Sequence, residues 1–184
     1  MSAIGKRIHE AIVKAAAGDL ENALIQVSIA IDASGKKKRP EIDKVGVRYR
    51  EFIRDHESII YFLIVGIKST AKPVMSFRTR NGGEIDLAQA YYKSVRNGLL
   101  HDGKIGDKLR VVNGSIISYQ DERISISTNI LWALIIAVVC DPINADEKIE
   151  GIHTITLSTG ATLNLHELWG NLNQVYELTG YNNV

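Results

Sequence analysis

The chain contains one cysteine, three prolines and no apolar run long enough to span a bilayer. A lone cysteine excludes an intramolecular disulfide and any multi-cysteine zinc site, and it fits a reducing compartment. Cys140 closes an apolar stretch and reads as a buried core thiol. The longest apolar stretches, Ile59 to Ile67 and Ile130 to Cys140, fall short of the roughly 18 residues expected of a membrane span. They read as buried helices, and no membrane association is expected. There is no glycine-rich phosphate loop and no Gly-x-Ser-x-Gly elbow, which disfavours a P-loop nucleotide enzyme or a triad hydrolase. His9, His153 and His166 have no metal-ligand spacing among themselves, so neither a metal nor a cofactor is expected.

At 184 residues, with 45% hydrophobic and 23% charged side chains, the composition is that of one globular domain, here taken as 1–184. The amphipathic stretch Ile4 to Ala17 carries Lys6, Arg7, Glu10 and Lys14, the pattern of a surface helix rather than of a leader, and a cytoplasmic location is expected. Net charge is only +1, but it is unevenly spread. Residues 36–110 hold 17 Lys/Arg against 9 Asp/Glu, whereas residues 141–184 hold one against six. The basic middle suits a polyanionic ligand, and the acidic end is able to neutralise part of it. For a single run such as Lys36-Lys37-Lys38-Arg39, a solvated charged surface is the default reading.

Periodicity predicts a mainly helical protein. After the first helix, Gly18-Asp19 ends one segment and caps the next, Leu20 to Ser34, which is expected to stop at Gly35. Asp43 to Ile67 reads as one long helix or two joined near His56. Ser69 to Gly83 holds Pro73 and Gly82-Gly83 and reads as a loop with a short extended piece at Val74 to Phe77. Asp86, with Gln89 three positions on, opens another helix that is expected to end before Gly103. Residues 108–127 and 152–163 are expected to form hairpin additions, the first around Asn113-Gly114 between Val111-Val112 and Ile116-Ile117, with Arg123 to Ser127 as a third strand. Residues 128–140, capped by Thr128 or Asn129, and residues 165–178, capped by Asn164 with Glu167, are expected to be packing helices.

The most informative stretch is Tyr91-Tyr92-Lys93-Ser94-Val95-Arg96-Asn97-Gly98-Leu99-Leu100-His101. It brings a phosphate-binding guanidinium, an amide and an imidazole able to move a proton near neutral pH to one helix end. In attack of a ribose 2′-hydroxyl on the adjacent phosphate, the imidazole removes or delivers a proton and the guanidinium stabilises charge on the phosphoryl oxygens. On a regular helix, five positions place Arg96 and His101 about 140° apart, so convergence needs a distorted last turn or a second chain. A looser match, Arg50 to His56, ranks second because Glu51 beside Arg50 would repel phosphate. Tyr91 and Tyr92 read as packing residues.

An Arg followed by a polar residue, with a His a few positions on and late in a helix of an all-α bundle, resembles the HEPN family (higher eukaryotes and prokaryotes nucleotide-binding). The resemblance covers about residues 4–103 and implies a helical bundle of HEPN type carrying one or two small β-hairpins in its C-terminal half. It implies a metal-independent endoribonuclease working as a homodimer, with Arg96 and His101 as the catalytic pair and Asn97 orienting His101 or the phosphate. Lys93, Arg78, Arg80 and Lys104 would bind the RNA substrate. By the same resemblance, the setting would be stress, phage defence or a toxin–antitoxin pair with an antitoxin protein as partner. One subgroup carries a tyrosine two residues after the histidine. Gly103 stands there in this chain, which makes nucleotidylation at that position unlikely and weakens a pairing of that type. The alternative within the same resemblance is a non-catalytic module that binds RNA or nucleotide or mediates dimerisation.

Overall fold

The computed structural model describes residues 2–66, 75–79, 81–96, 109–112, 117–120, 123–151, 153–157, 160 and 162–179. Among these the protein is mainly helical, as its periodicity requires. Helix α1 (Ala3–Ala16) starts on Ser2, whose hydroxyl accepts from the Gly5 N–H at 3.3 Å. It folds back through a short turn onto α2 (Leu20–Lys38), capped by Asp19. Helix α3 (Val45–Asp55) and α4 (Glu57–Val65) are the predicted pair, joined at His56. Helix α5 (Leu87–Tyr91) continues as a π-helical turn over Tyr92–Arg96. Helix α6 (Asn129–Cys140) and α7 (Leu172–Thr179) complete the helical set.

Helix α6 is apolar all round and lies at the centre, with Ile135, Ile136, Ala137 and Val138 fully buried; it packs between α2 and α4. A helix without a polar face is stable only when neighbours surround it. Helix α2 is the second hub, touching α1, α3, α6 and the π-turn. No helix among the described residues is long and apolar enough to cross a membrane.

Three expected boundaries are corrected. Helix α2 does not stop at Gly35 but runs on to Lys38. Gly35 serves close packing instead, since a Cβ there would lie 3.1 Å from the Arg48 carbonyl oxygen. The lysines that follow sit where the helix dipole favours cations. Asn164 with Glu167 does not start the last helix: the Asn164 side chain accepts from the His166 N–H in a tight turn, and α7 begins only after Gly170, capped by Asn171 accepting from the Gln174 N–H. Gly170 has φ +71° and would place a Cβ 2.4 Å from that of Ala145, so both conformation and space demand glycine. At α6, Thr128 makes no side-chain cap bond; the Ser127 hydroxyl accepts from the Asn129 N–H at 3.1 Å.

The strands form small sheets. β1 (Ser76–Arg78) pairs antiparallel with β2 (Glu84–Asp86), and β6 (Thr154–Thr156) with β7 (Thr162–Asn164), the latter being the smaller hairpin expected from sequence. The hairpin expected across Asn113-Gly114 is corrected. β3 (Leu109–Val112) pairs parallel with β5 (Arg123–Ser127), while β4 (Ile117–Gln120) pairs antiparallel on its other side, giving the order β3-β5-β4. The turn residues 113–116 lie outside the described residues. β5 takes the centre because Ile124 and Ile126, both fully buried, need neighbours on each edge, whereas the turn signal concerns only local geometry.

Candidate functional site

The helix carrying the Arg96 motif is held from behind by α3. Asp86 caps α5 by accepting from the Gln89 N–H at 2.7 Å, and its other oxygen accepts from Arg54 Nε at 2.8 Å. Arg54 also engages Glu51. One turn earlier on α3, the Arg50 guanidinium lies 5.2 Å from the centre of the Tyr92 ring. Gly46 leaves room for that ring, since a Cβ there would meet the Tyr92 hydroxyl at 2.5 Å. Tyr49 stacks on Tyr91 with ring centres 6.4 Å apart, and its hydroxyl bonds the Ser28 hydroxyl of α2 at 3.1 Å. Tyr91 is fully buried, and burial pushes its phenol above the usual tyrosine range, an effect Ser28 opposes in part. Both tyrosines thus act as packing residues.

From Tyr92 the winding widens from α to π and closes on Arg96. Ser94 and Val95 turn inward and are buried, whereas Lys93 is exposed. The Ser94 hydroxyl has no hydrogen-bond partner among the described residues. Arg96 is described here through its backbone alone, and Asn97, His101, Lys104 and Arg80 lie outside the described residues. Arg78 is exposed on β1, directly opposite Glu84 in the β1–β2 register.

The second-ranked run, Arg50 to His56, has a different role from the one its spacing suggested. His56 is buried, 3% exposed, beside Asp141, which is 1% exposed. Its Nε2 lies 3.1 Å from Asp141 Oδ2, and its Nδ1 lies 2.8 Å from the Phe52 carbonyl oxygen. Both neighbours are hydrogen-bond acceptors facing the two ring nitrogens. Lys38 joins the cluster, 2.8 Å from Asp141 and 2.9 Å from Asp55, and Arg39 forks onto Asp55 at 2.8 and 2.9 Å. Burial alone would raise Asp141, but hydrogen bonds from His56, Lys38 and the Ile143 N–H outweigh it and hold the carboxyl well below the ordinary range. Asp55 is held low in the same way by Lys38 and Arg39. Lys37 meanwhile pairs with Asp146 and Glu147. The basic run is therefore largely spent on carboxylates within the chain, three of them in the acidic C-terminal region, and does not form a free polyanion-binding patch.

Sequence reasoning missed this cluster because His56 and Asp141 are far apart in the chain, and the spacing that drew attention to His56 pairs it with Arg50 rather than with Asp141. The only available signal was the pairing of a basic segment with an acidic one. Cys140 is buried as expected, and burial together with Asp141 pushes its thiol up to about 12. Among the described residues no three potential ligands come together to hold a metal ion.

These features define a mainly helical domain in which α3 braces a π-wound helix end, with small sheets beside it. The chain belongs to the Rv1289 family, whose model matches residues 3–184. No curated protein and no solved structure matches it.

Proposed function

We propose that this protein is a metal-independent endoribonuclease of HEPN type, acting as a homodimer, with Arg96 and His101 as its catalytic pair and Asn97 orienting the imidazole or the phosphate. The observation that carries this reading is the π-turn over Tyr92–Arg96. Single π-turns recur at functional sites. This one sits at the entry to the Arg96-Asn97-x3-His101 motif. The bracing from α3 adds support, because Arg54, Arg50, Tyr49 and Gly46 all serve to fix this helix end, as pre-organised chemistry requires.

In the reaction, the ribose 2′-oxygen bonds to phosphorus and its proton passes to a base. The bond from phosphorus to the 5′-oxygen breaks, and the leaving oxygen takes a proton. His101 handles these protons while Arg96 neutralises charge on the non-bridging oxygens. The products are a 2′,3′-cyclic phosphate and a 5′-hydroxyl, and DNA, lacking the 2′-hydroxyl, is not cut. The test is cleavage of a tRNA pool in EDTA. Wild type is expected to cut, and Arg96→Ala and His101→Ala each to lose about 10²- to 10⁴-fold in rate while remaining folded. No cleavage by wild type would favour the non-catalytic binding or dimerisation reading, and equal cleavage by all three would overturn the assignment of Arg96 and His101 as the catalytic pair.

A further inference from the structure

The outer face of the three-stranded sheet has no role in the site described above. The pairing Leu109↔Ile124↔Tyr119 places these residues on the core side, with Ile124 and Ile126 buried. Alternation then sends Arg110, Ser125 and Ser118 to the other side in one row, and Arg123 with Gln120 in the next. Arg110, Ser118, Gln120 and Arg123 are exposed, and neither arginine has a carboxylate partner among the described residues. By strand spacing and rise the two arginines stand about 8 Å apart on a diagonal. No acidic residue occupies a described position on this face, and no aromatic one does either. Phe77 of β1 packs against Tyr119 of β4 with ring centres 6.2 Å apart, so alternation in β1 turns Arg78 away from that contact. The hairpin containing β1 leads directly into α5, and β3 follows the motif in the chain.

We propose that this sheet face, through Arg110 and Arg123 with Ser118, Gln120 and Ser125, binds the sugar-phosphate backbone of the substrate RNA independently of sequence. The choice of RNA rests on the ribonuclease reading. Two guanidinium forks on a flat surface match successive phosphates, and hydroxyl and amide groups supply further bonds to phosphate and ribose. Without aromatic platforms the face has nothing to stack bases on, so it tracks the backbone rather than reading bases. The arrangement separates length-dependent substrate holding, on the sheet, from bond cleavage at the motif.

The experiment uses the full chain and two probes. A short single-stranded 2′-O-methyl RNA, which cannot be cleaved, reports binding by fluorescence anisotropy across a salt series, and the dinucleotide UpA, which has a single phosphate, reports cleavage. Arg110→Ala/Arg123→Ala is expected to weaken oligonucleotide binding roughly tenfold and to make the slope of log affinity against log salt shallower by about 1.4, the counterion share of two single-strand phosphate contacts. UpA cleavage is expected to be unchanged. Lys6→Ala/Lys14→Ala, which removes the same charge from α1, is expected to bind like wild type. Unchanged affinity and slope in the arginine double variant, or equal weakening in both double variants, overturns the proposal. If wild type cuts UpA while the arginine variant binds normally, the sheet proposal falls and the ribonuclease reading stands. If binding depends on the arginines but UpA is never cut, the ribonuclease reading falls and the sheet remains an RNA-binding face.

Discussion

Asp141 is the residue on which the polar interior turns. Its carboxylate receives His56 and Lys38 through one oxygen and the Ile143 N–H through the other. Asp141→Ala leaves the buried His56 ring and the Lys38 ammonium without their shared acceptor, and a loss of about 3 kcal/mol in urea unfolding is expected. Asp141→Asn, which keeps the shape and one acceptor, should lose less. The pH dependence has a definite sign. Asp141 and Asp55 titrate below their ordinary 3.8 when folded, so their contribution is present above the unfolded range and is lost as pH falls below about 5. Lys38 is shifted the other way: burial opposes its charge, but Asp141 and Asp55 outweigh burial and raise it, so its contribution is present below 10.5 and is lost as pH climbs above that value. The urea midpoint should therefore fall on the acid side, less steeply in Asp141→Asn than in wild type. An equal acid slope in both proteins would remove Asp141 from this role.

Among the elements, the short helix α5 depends most on a single side chain. With only Leu87–Tyr91 in α winding, it is too short to persist alone, and Asp86 supplies both its cap and its tie to Arg54. Asp86→Ala is expected to cost about 1–2 kcal/mol in urea unfolding. If the proposed ribonuclease reading holds, it should also slow RNA cleavage, because the helix end bearing Arg96 loses its anchor to α3. Asp86→Asn keeps the cap acceptor and should restore most of the stability. At this scale the sequence was informative where the signal was local: the Asp86 cap with Gln89, the break at His56 and the β6–β7 hairpin are all where the pattern placed them. It misled where a glycine or an Asx turn had two physical uses. Gly35 permits α2 to approach α3 instead of ending a helix, and Asn164 closes a turn instead of opening α7.

Across the whole molecule, Cys140 reports integrity. It lies at the end of the central helix α6 with no exposed surface, and its raised pKa leaves almost no thiolate near neutral pH. Its labelling by a thiol reagent should follow the global unfolding equilibrium rather than local fraying, so labelling rates in dilute urea should track the urea unfolding curve. Faster labelling at no urea would mean that α6 opens locally.

Composition and periodicity alone determined a mainly helical chain with a central apolar helix and a buried thiol, because burial of an apolar face is written into the spacing of the residues that make it. The spacing of Arg96 and His101 is a feature of the sequence alone, since the two residues are close in the chain. Which strand sits between which, where the basic run finds its carboxylates, and that His56 meets Asp141 were decided only by the tertiary structure. Such contacts join residues far apart in the chain, and their energies depend on packing and desolvation that no local pattern encodes.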